Sequence, residues 1–525
     1  MDPLRALATD ATKSAVSSSG GIVAAQNRLA AAEGARVLAA GGNAIDAAVV
    51  TSFALGVLEP WMSGIGGGGF MVVAKADGSP VQVIDGAMVA PSALDPADYP
   101  LTGGTAGDLF AWPAVKDDRN ITGHHSIAVP GLVDGMGLAL ARFGTIAWRD
   151  ALAPAIRLAE AGLPLDWYAG LCVAVAAREL SQSDGASIVY LPDGLPPVPN
   201  GENGLGHLPL GELAHTLRRL ADAGPRDLYD GEIAVSIARE LQAGGSRLSA
   251  EDLRGYRAAI HPALDIPYRN VVVAAAPGLS AGPTLARTLE LLGSSLTRRA
   301  DLAAGPGADE YVAYADALNI AYGERLAAAG HAVPAATCTS HVSVVDREGT
   351  MVSLTQTLLS RFGSKVLLPA TGVLMNNGIM WFDPRPGRPN SIAPGRRPLS
   401  NMCPVIVRRD REPWLALGAS GGRRILPAIA QLVSFLVDFG MSLQEAFHCP
   451  RLDMSGDGRV TADERLAEPV RRNLAAQWPV IDGFLTAYPV MFGSPNAVLR
   501  DIPRRRNHGM ADVASPWSGA VAESS

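Results

Sequence analysis

Alternating apolar and polar positions predict a β-hairpin in the second half of the chain. One alternating run ends at Val345, and a second covers residues 351–358. The residues between them, Asp-Arg-Glu-Gly at 346–349, have the composition of a tight turn. The segment just upstream, residues 330–338, consists of small residues and helix breakers and is expected to be exposed. The hairpin is therefore expected to begin directly after an exposed loop.

Elsewhere the apolar positions recur with the periods of helices and of strands, which predicts one layered α/β fold. Strands are expected at residues 70–73, 81–84, 271–276 and 414–417. Helices are expected at residues 24–40, 44–58, 149–161, 210–223, 231–241, 282–292, 309–325 and 424–439. Gly41 and Gly42 are expected to end the first helix, and Asn43 with Asp46 to cap the second.

Composition and charge narrow the class of protein. Of the 525 residues, 48% are hydrophobic and 18% are charged, which indicates a globular chain. The net charge of −7, without a basic stripe, argues against nucleic acid or an anionic membrane as a partner. No segment reaches the roughly 18 to 20 apolar residues of a membrane span. The first twenty residues show no export signal, so a cytoplasmic location is expected.

The cysteines argue against metal and disulfide chemistry. They lie far apart in the sequence, without a C-x-x-C pair or a histidine at ligand spacing: Cys172, Cys338, Cys403 and Cys449. Neither a zinc site nor a disulfide framework is therefore expected. No metal or other cofactor is expected.

The entrance of the hairpin carries candidate chemistry. If the bond between Cys338 and Thr339 were cut, Thr339 would have a free α-amine beside its own hydroxyl. An amine with a pKa of about 8 can serve as the base that a threonine hydroxyl otherwise lacks. The alternative is a hairpin whose threonines and serines are present only because they suit strands.

The run Thr-Ser-His-Val-Ser-Val-Val-Asp at 339–346 resembles the start of the small subunit of γ-glutamyltransferases (γ-glutamyltranspeptidases). These are N-terminal-nucleophile hydrolases that cut themselves before a threonine. Further blocks agree in order and spacing: residues 41–48 leading into 59–70, 397–402 and 418–422. The resemblance covers the chain from about Gly20 to the last few dozen residues.

The resemblance implies a four-layer αββα sandwich of the N-terminal-nucleophile hydrolase type. Residues 1–338 would form the large-subunit segment and residues 339–525 the small-subunit segment, together one αββα unit. Both subunits would come from one precursor, and two such pairs could form a dimer.

The resemblance also implies roles for individual residues. Thr339 would be the nucleophile and its amine the base, with cleavage falling between Cys338 and Thr339. Thr357 would hydrogen-bond the nucleophile and orient it. The backbone N–H groups of Gly421 and Gly422 would form the oxyanion hole at a helix start, where free donors favour negative charge.

Two further positions are expected near the substrate acyl group. Ser400 and Asn401 stand where the family has two serines, so Asn401 is a departure from the pattern. His341 is expected to be a strand histidine that supports the hairpin.

Four departures bear on the substrate. Where the family holds the glutamyl zwitterion with Arg, Asn, Gln and Asp, this chain has Ala87, Leu359, Gly378 and Trp381. Because each lost charged hydrogen bond is worth about 1.5 to 3 kcal/mol, a glutamyl group should bind poorly. Leu359 and Trp381 favour an apolar or aromatic acyl group. The short segment 384–398 replaces the long lid of some relatives, so the site is expected to admit larger molecules.

Two other motifs have competing interpretations. The glycine-rich run 64–69 fits G-x-G-x-x-G, but it lies between a helix and a strand instead of the strand–turn–helix that a dinucleotide site needs. It is better explained as a tight turn passing close to the active site. The run 418–422 fits G-x-S-x-G, which predicts a rival serine hydrolase with Ser420 as nucleophile and Asp453 and His508 as partners.

The predicted function is a self-processing threonine hydrolase that cleaves an amide or related acyl bond of a non-glutamyl small molecule. The alternatives are a genuine γ-glutamyltransferase or glutathione hydrolase, a C–C bond hydrolase of a biosynthetic pathway, and an uncut, inactive scaffold. A small molecule is the expected partner.

Overall fold

Two seven-stranded antiparallel sheets lie face to face at the centre of the protein. The computed structural model describes residues 11–106, 112–199, 205–296, 305–329 and 338–524. The helices are α1 Arg28–Ala39, α2 Ala44–Leu58, α3 Leu132–Phe143, α4 Trp148–Ala161, α5 Trp167–Leu180, α6 Asp184–Tyr190, α7 Leu213–Ala223, α8 Asp227–Asp230, α9 Glu232–Ala243, α10 Ala250–Gly255, α11 Gly282–Ser295, α12 Ala308–Ala329, α13 Ile425–Val437, α14 Leu443–His448 and α15 Glu468–Ala475.

The strands are β1 Val16–Ser18, β2 Ile22–Ala25, β3 Gly68–Ala74, β4 Gln82–Gly86, β5 Leu101–Thr105, β6 Pro113–Val115, β7 Leu163–Leu165, β8 Gly206–Leu208, β9 Ala259–Pro262, β10 Leu264–Tyr268, β11 Val271–Ala275, β12 Cys338–Val345, β13 Met351–Leu359, β14 Leu367–Leu368, β15 Val373–Leu374, β16 Val405–Arg409, β17 Glu412–Ser420, β18 Leu452–Asp453, β19 Val460–Asp463, β20 Val480–Gly483, β21 Ser494–Asp501, β22 Arg506–Ala511 and β23 Gly519–Ala522. One large sheet has the order β1-β22-β21-β17-β16-β11-β10, and the other has the order β23-β2-β12-β13-β3-β4-β9.

Each large sheet is buried on both faces, which makes four layers. In the second sheet, alternate side chains pack outward against α1, α2 and α3, among them Val23, Val342, Val344 and Val352. In the first sheet, outward side chains pack against α11 and α13, among them Val273, Val405, Leu415 and Leu417. The side chains that point between the sheets form a third cluster, which includes Ile22, Ala24, Ala274, Ile406 and Ala416. The protein therefore has the αββα architecture that the resemblance implied.

Residues before and after position 338 contribute to both large sheets. In the second sheet, β12 pairs with β2 on one side and with β13 on the other, and β13 in turn pairs with β3. In the first sheet, β16 lies between β11 and β17. A chain cut before Thr339 would consequently remain one unit, because each sheet would contain strands from both pieces.

Most predicted elements are present, and local signals such as helix caps account for them. In the second helix, Asn43 accepts from the backbone N–H of Asp46, and the Asp46 side chain accepts from that of Asn43, which is the predicted capping box.

The prediction that the first helix begins at Ala24 is wrong. Ala24 and Ala25 are residues of β2, and the helix begins at Arg28 with Asn27 as its cap. Alanine favours helices in isolation, but pairing on both sides overrides that preference here.

The predicted hairpin is formed by β12 and β13 in antiparallel register, with the tight turn between them. The exposed loop predicted at residues 330–338 lies outside the described residues except for Cys338. The prediction of exposure is wrong for Cys338, because it is the first residue of β12 and is buried.

Candidate active site

The start of β12 is irregular at Thr339. Cys338 lies opposite Leu359 and Ser340 lies opposite Gln356, so β13 has one residue more than β12 over this stretch. Such a β-bulge locally breaks the ladder and redirects side chains, and bulges are common next to active sites. Thr339, at the bulge, is only 4% exposed.

Thr357 reaches across the bulge to the bond before Thr339. Its hydroxyl donates a hydrogen bond to the carbonyl oxygen of Cys338 at 2.5 Å, and it accepts one from the backbone N–H of Leu359 at 2.8 Å. Thr357 is therefore fixed beside the peptide bond where cleavage is predicted. A donor on this oxygen polarises the carbonyl toward nucleophilic attack.

The glycine-rich turn packs against the same strand. A Cβ atom at Gly67 would lie 2.3 Å from the carbonyl oxygen of Thr357, and one at Gly69 would lie 2.7 Å from that of Thr355. Real Cβ atoms do not come this close, so only glycine allows the turn to lie on β13. The turn therefore packs closely on the strand that carries Thr357, as predicted, and its closeness to an active site stays a prediction.

Strand β17 brings the second glycine motif to the same place from the opposite sheet. Ser420 ends the strand, and Gly421 and Gly422 follow with φ of 120° and 62° before α13 begins. A cavity of about 950 Å³ is lined by Cys338, Ser420 and Gly421 together. Gly421 thus shares a cavity with Cys338, and the part of Gly421 and Gly422 in an oxyanion hole stays a prediction.

Gln26 joins the two sheets at this point. Its amide nitrogen donates to the Ser420 hydroxyl and to the carbonyl oxygen of Ser494, and its oxygen accepts from the backbone N–H of His341 at 2.9 Å. Sequence patterns do not predict Gln26 as a site residue. It directly follows a strand of small apolar residues and has no motif of its own, so its role depends on a contact between distant segments.

The residues of the rival serine hydrolase do not meet. His508 lies on the wall of a different cavity, together with Trp414 and Gln444. Asp453 accepts a hydrogen bond from Ser455 at 2.9 Å, whereas the partner of the Ser420 hydroxyl is Gln26. Nucleophile, histidine and acid must form one hydrogen-bonded chain in such an enzyme, and these three do not.

His341 has the supporting position that was expected. The ring is fully buried, with Nδ1 2.9 Å from the hydroxyl of Thr355 and Nε2 2.9 Å from that of Ser343. Burial lowers the pKa of His341 to about 3, so the ring is neutral at physiological pH. A Cβ atom at Gly418 would lie 2.2 Å from this ring, which explains the glycine on the facing strand.

Ser400 and Asn401 are held by Arg325. The guanidinium donates to the Ser400 carbonyl oxygen at 2.6 Å and to the Asn401 side-chain oxygen at 3.4 Å. The Ser400 hydroxyl accepts from the backbone N–H of Met402 at 3.1 Å. Neither residue belongs to the lining of the cavity beside Cys338, so their place near the acyl group stays a prediction.

The four positions that depart from the family are buried. Ala87, Leu359 and Trp381 belong to the apolar cluster between the sheets. A Cβ atom at Gly378 would lie 2.8 Å from the Cβ of Ala128, so the space beside it is already filled. The cavity instead passes along the neighbours Ser360 and Met380. Whether these four positions select the acyl group stays a prediction.

Leu359 also has an unusual backbone. Its φ is 86°, in the left-handed region that asparagine tolerates and leucine does not favour. The strain is offset by complete burial of the side chain.

Glu59 is a buried carboxyl group that no sequence motif singles out. It lies near the side chains of Asn27 and Ser340 without a well-formed hydrogen bond to either, and neither of its oxygens has a partner among the described residues. Burial raises the pKa of Glu59 to about 8, so the group is mainly protonated at neutral pH. A titratable acid thus lies close to Ser340, the neighbour of Thr339.

Comparisons with known proteins agree with this architecture. The family profile described as gamma-glutamyltranspeptidase matches residues 30–337 and 327–520. The chain is 34% identical over 504 residues to the acylase ACY 1 proenzyme of Pseudomonas sp. (strain SE83), covering 89% of this chain and 88% of that one. It is 29% identical over 490 residues to the glutathione hydrolase proenzyme of Bacillus subtilis (strain 168), covering 82% and 80%.

A solved structure is similar over nearly the whole length. The crystal structure of cephalosporin acylase from Bacillus halodurans superposes with a TM-score of 0.82 and 24% identity, covering 98% of both chains. Together with the family match, this defines an N-terminal-nucleophile hydrolase. The chain belongs to the γ-glutamyltranspeptidase family and is an enzyme of the hydrolase and acyltransferase class.

Within the described residues, no helix combines the length and the apolar character needed to cross a membrane.

Proposed function

We propose that this enzyme cuts itself before Thr339 and then hydrolyses an amide, or a related acyl bond, of a non-glutamyl small molecule through a Thr339 acyl-enzyme. The observation that carries the proposal is the hydrogen bond from Thr357 to the carbonyl oxygen of Cys338. It lies on the one bond whose cleavage would turn Thr339 into a chain terminus with both nucleophile and base.

Self-processing would proceed by an acyl shift. The Thr339 hydroxyl oxygen attacks the Cys338 carbonyl carbon, and negative charge develops on the oxygen that Thr357 contacts. The C–N bond then breaks, the nitrogen takes the hydroxyl proton, and Cys338 is left as an ester on Thr339. Water hydrolyses this ester, giving a Cys338 carboxylate and a free Thr339 amine.

Substrate turnover would repeat the same chemistry with an external acyl group. The free amine accepts the hydroxyl proton as the oxygen attacks the substrate carbonyl, and returns it to the leaving amine. Water then releases the acyl group from Thr339. The N–H groups of Gly421 and Gly422 would stabilise the oxyanion from the opposite sheet.

Two observations support a non-glutamyl substrate. A relative at 34% identity is named an acylase proenzyme. In addition, apolar contacts surround the positions where the family holds the glutamyl zwitterion, namely Ala87, Leu359 and Trp381. A zwitterion left without partners there would lose several charged hydrogen bonds.

Intact mass spectrometry tests the proposal. The purified protein is expected to separate under denaturing conditions into residues 1–338 and 339–525, while Thr339→Ala stays one chain and has no acylase activity. Thr339→Ser, which keeps a hydroxyl, is the control and should still be cut. A persistent single chain of 54.5 kDa with full activity would contradict the mechanism.

A further inference from the structure

Residues 512–518 form a loop, the C-terminal loop, that carries part of the wall of the cavity beside Cys338. It leads from β22 in one large sheet to β23 in the other, so it crosses between the sheets. Its residue Trp517 lines the cavity together with Arg361, which is half-buried, and Lys365, which is only 8% exposed. Backbone groups in such a crossing segment lie outside the sheet ladders, so other partners must hold the loop in place.

The ammonium group of Lys13 is one of these partners. It donates to the backbone carbonyl oxygen of Asp512 at 2.7 Å and to that of Ser515. It also donates to the backbone carbonyl oxygen of Ser518 at 2.9 Å and to the Ser518 hydroxyl at 2.7 Å. Four oxygens of one loop thus share the three N–H donors of a single cation. Carbonyl oxygens arranged in this way are the usual ligands of a monovalent cation, so the loop forms a cation site that Lys13 fills.

The sheet places Lys13 beside the loop. Lys13 lies just before β1, the edge strand that pairs antiparallel with β22, and Val16 of β1 lies opposite Gly509. Continued toward the start of the chain, this register brings Lys13 beside Asp512. Burial lowers the pKa of Lys13 to about 8, and the Asp512 carboxylate opposes this shift. The side chain is therefore mainly an ammonium at neutral pH.

The other side of the loop is tied to the strands that end at the cavity. The Asp512 carboxylate accepts from the hydroxyl of Ser494 at 3.0 Å and from that of Ser515 at 2.9 Å. Ser494 is the first residue of β21, lies opposite Ser420 and also lines the cavity. The loop is consequently held between these strands and Lys13.

Trp517 is the largest side chain that the loop brings to the cavity. Its ring stacks on that of Tyr168, with the centroids 3.6 Å apart and an angle of 16° between the planes. Tyr168 belongs to α5 and lines the same cavity. The backbone carbonyl oxygen of Trp517 accepts from the N–H of Arg28 at 2.8 Å. An aromatic surface of this kind provides contact area for a bound substrate, and its place depends on the loop that carries Trp517.

We propose, building on the function proposed above, that Lys13 is a positioning residue for substrate binding. It fills the cation site of the C-terminal loop and so holds Trp517 against Tyr168 in the cavity wall. Without the ammonium, three carbonyl oxygens would lose their shared donor, and the loop would open to hydrate them. Trp517 would then leave the stack, and a substrate would lose contact area although the chemistry at Thr339 is untouched.

Steady-state kinetics of the matured enzyme test this role. The probes are the p-nitroanilides of acetic, hexanoic and phenylacetic acid, and the one that the wild type hydrolyses fastest is the preferred acyl anilide. Lys13→Ala should raise KM for this anilide about tenfold and change kcat by less than about twofold, because the lost contact is the same in the ground and transition states. Lys75→Ala is the matched control, since Lys75 forms an exposed ion pair with Asp77 and is not part of this cavity wall. It should leave both constants unchanged.

A double-mutant cycle and an added amine separate positioning from general stability. Trp517→Ala should raise KM as Lys13→Ala does, and combining the two should add little, because both remove the same contact. Propylamine supplies the part of the lysine side chain that alanine lacks, so it should lower the KM of Lys13→Ala but not that of Trp517→Ala. Melting temperatures report whether each variant is folded. If Lys13→Ala is not, Lys13→Met, which keeps the apolar stem of the side chain, takes its place in the cycle.

The possible failures are distinct. An active, cut wild type with an unchanged KM in Lys13→Ala, or with additive effects of Lys13→Ala and Trp517→Ala, overturns the role of Lys13 and leaves the proposed function standing. If the wild type is uncut or hydrolyses no probe, the proposed function fails. The position of Trp517 is then measured by acrylamide quenching of tryptophan fluorescence. Lys13→Ala should be quenched more than the wild type, and the difference should disappear when both carry Trp517→Phe. Equal quenching of Lys13→Ala and the wild type overturns the role of Lys13.

Discussion

The hydroxyl of Thr357 lies 2.5 Å from the carbonyl oxygen of Cys338 and donates a hydrogen bond to it. The two residues are 19 positions apart and meet only because β12 and β13 pair with a bulge at Thr339. The donor is in place before any cut is made, so it can act on the negative charge that develops during self-cleavage.

Replacing Thr357 tests this directly. Thr357→Val keeps the shape of the side chain but removes the donor, and it should slow self-cleavage by about 10² to 10³, as loss of an oxyanion donor does elsewhere. Thr357→Ser retains a hydroxyl and should remain close to wild type. The fraction of cut chain against time, read by mass, gives the rates. A valine variant that matures at the wild-type rate would show that the contact is only structural.

The turn that supports Thr357 offers an independent test. Gly67→Ala would place a methyl group 2.3 Å from the Thr357 carbonyl oxygen, so β13 must shift. Maturation should slow and the melting temperature should fall. Gly293→Ala is the matched control, because that glycine lies within α11 and has nothing within 4 Å of an added Cβ. This control should mature normally and should be slightly more stable, since alanine favours helices. Equal behaviour of the two variants would argue against the steric role of Gly67.

Ser420 distinguishes the threonine mechanism from the serine rival. Its hydroxyl accepts a hydrogen bond from Gln26 and has no histidine partner among the described residues. Ser420→Ala should therefore reduce activity only a few-fold, and the lost hydrogen bond should cost about 1 kcal/mol of stability. Thr339→Ala should abolish activity. Steady-state rates on one acyl anilide compare the two variants. Complete loss in Ser420→Ala with activity retained in Thr339→Ala would support the rival.

Glu59 should give the protein a pH-dependent stability. Its pKa is about 8 in the folded state and has its ordinary value of 4.5 in the unfolded chain. Between these values the folded protein keeps a proton that the unfolded chain has lost, so this group makes stability fall as pH rises, by up to about 1.4 kcal/mol per pH unit. Glu59→Gln should remove this fall, and urea unfolding of both proteins at pH 5, 6, 7 and 8 measures it. Parallel pH profiles would mean that Glu59 is ionised in the folded state.

The glutamyl pocket is expected to be absent. γ-Glutamyl-p-nitroanilide and glutathione should be poor substrates, because Ala87, Leu359 and Trp381 offer no partner for the zwitterion. Rates comparable to those on the preferred acyl anilide would refute this. Trp381→Asp should weaken turnover of the preferred substrate, since it places a carboxylate in an apolar cluster, and should not restore glutamyl activity by itself.

Combining Ala87→Arg and Leu359→Asn with Trp381→Asp should raise γ-glutamyl hydrolysis more than any single change, because the groups bind one ligand. Adding Gly378→Gln is expected to lower the melting temperature, since its Cβ would lie 2.8 Å from Ala128 and 2.9 Å from the Met88 sulfur. Steady-state rates and melting curves of the single, triple and quadruple variants decide both points.

Local signals in the sequence are enough to predict many helices, strands and turns of this protein. The Asn43–Asp46 capping box and the turn between β12 and β13 are properties of a few adjacent residues, and both are present as predicted. The glycine run before β3 can be distinguished from a dinucleotide-binding site by sequence alone. A helix precedes it and a strand follows it, and this order is also a local property. The ordered motifs likewise indicate the family, since each is a short run of neighbouring residues.

Other features depend on residues that are distant in sequence. Ala24 and Ala25 suit a helix by themselves, and only pairing with β12 and β23 makes them a strand. Gln26 belongs to no motif. Its hydrogen bonds to the backbone of His341 and to the hydroxyl of Ser420 form only because the fold brings these distant segments together.

The sequence by itself determined the family, the layered fold and the prediction that Thr339 is an N-terminal nucleophile, because these follow from ordered motifs and short-range patterns. Only the tertiary structure decided which polar groups share a cavity. Arg361 and Lys365 could have been solvated surface cations, and Glu59 an ordinary ionised carboxylate. Their burial beside Cys338 and Ser340 comes from the packing of two sheets and the helices around them. Desolvation by distant segments sets the charge of a group, and no local pattern encodes it.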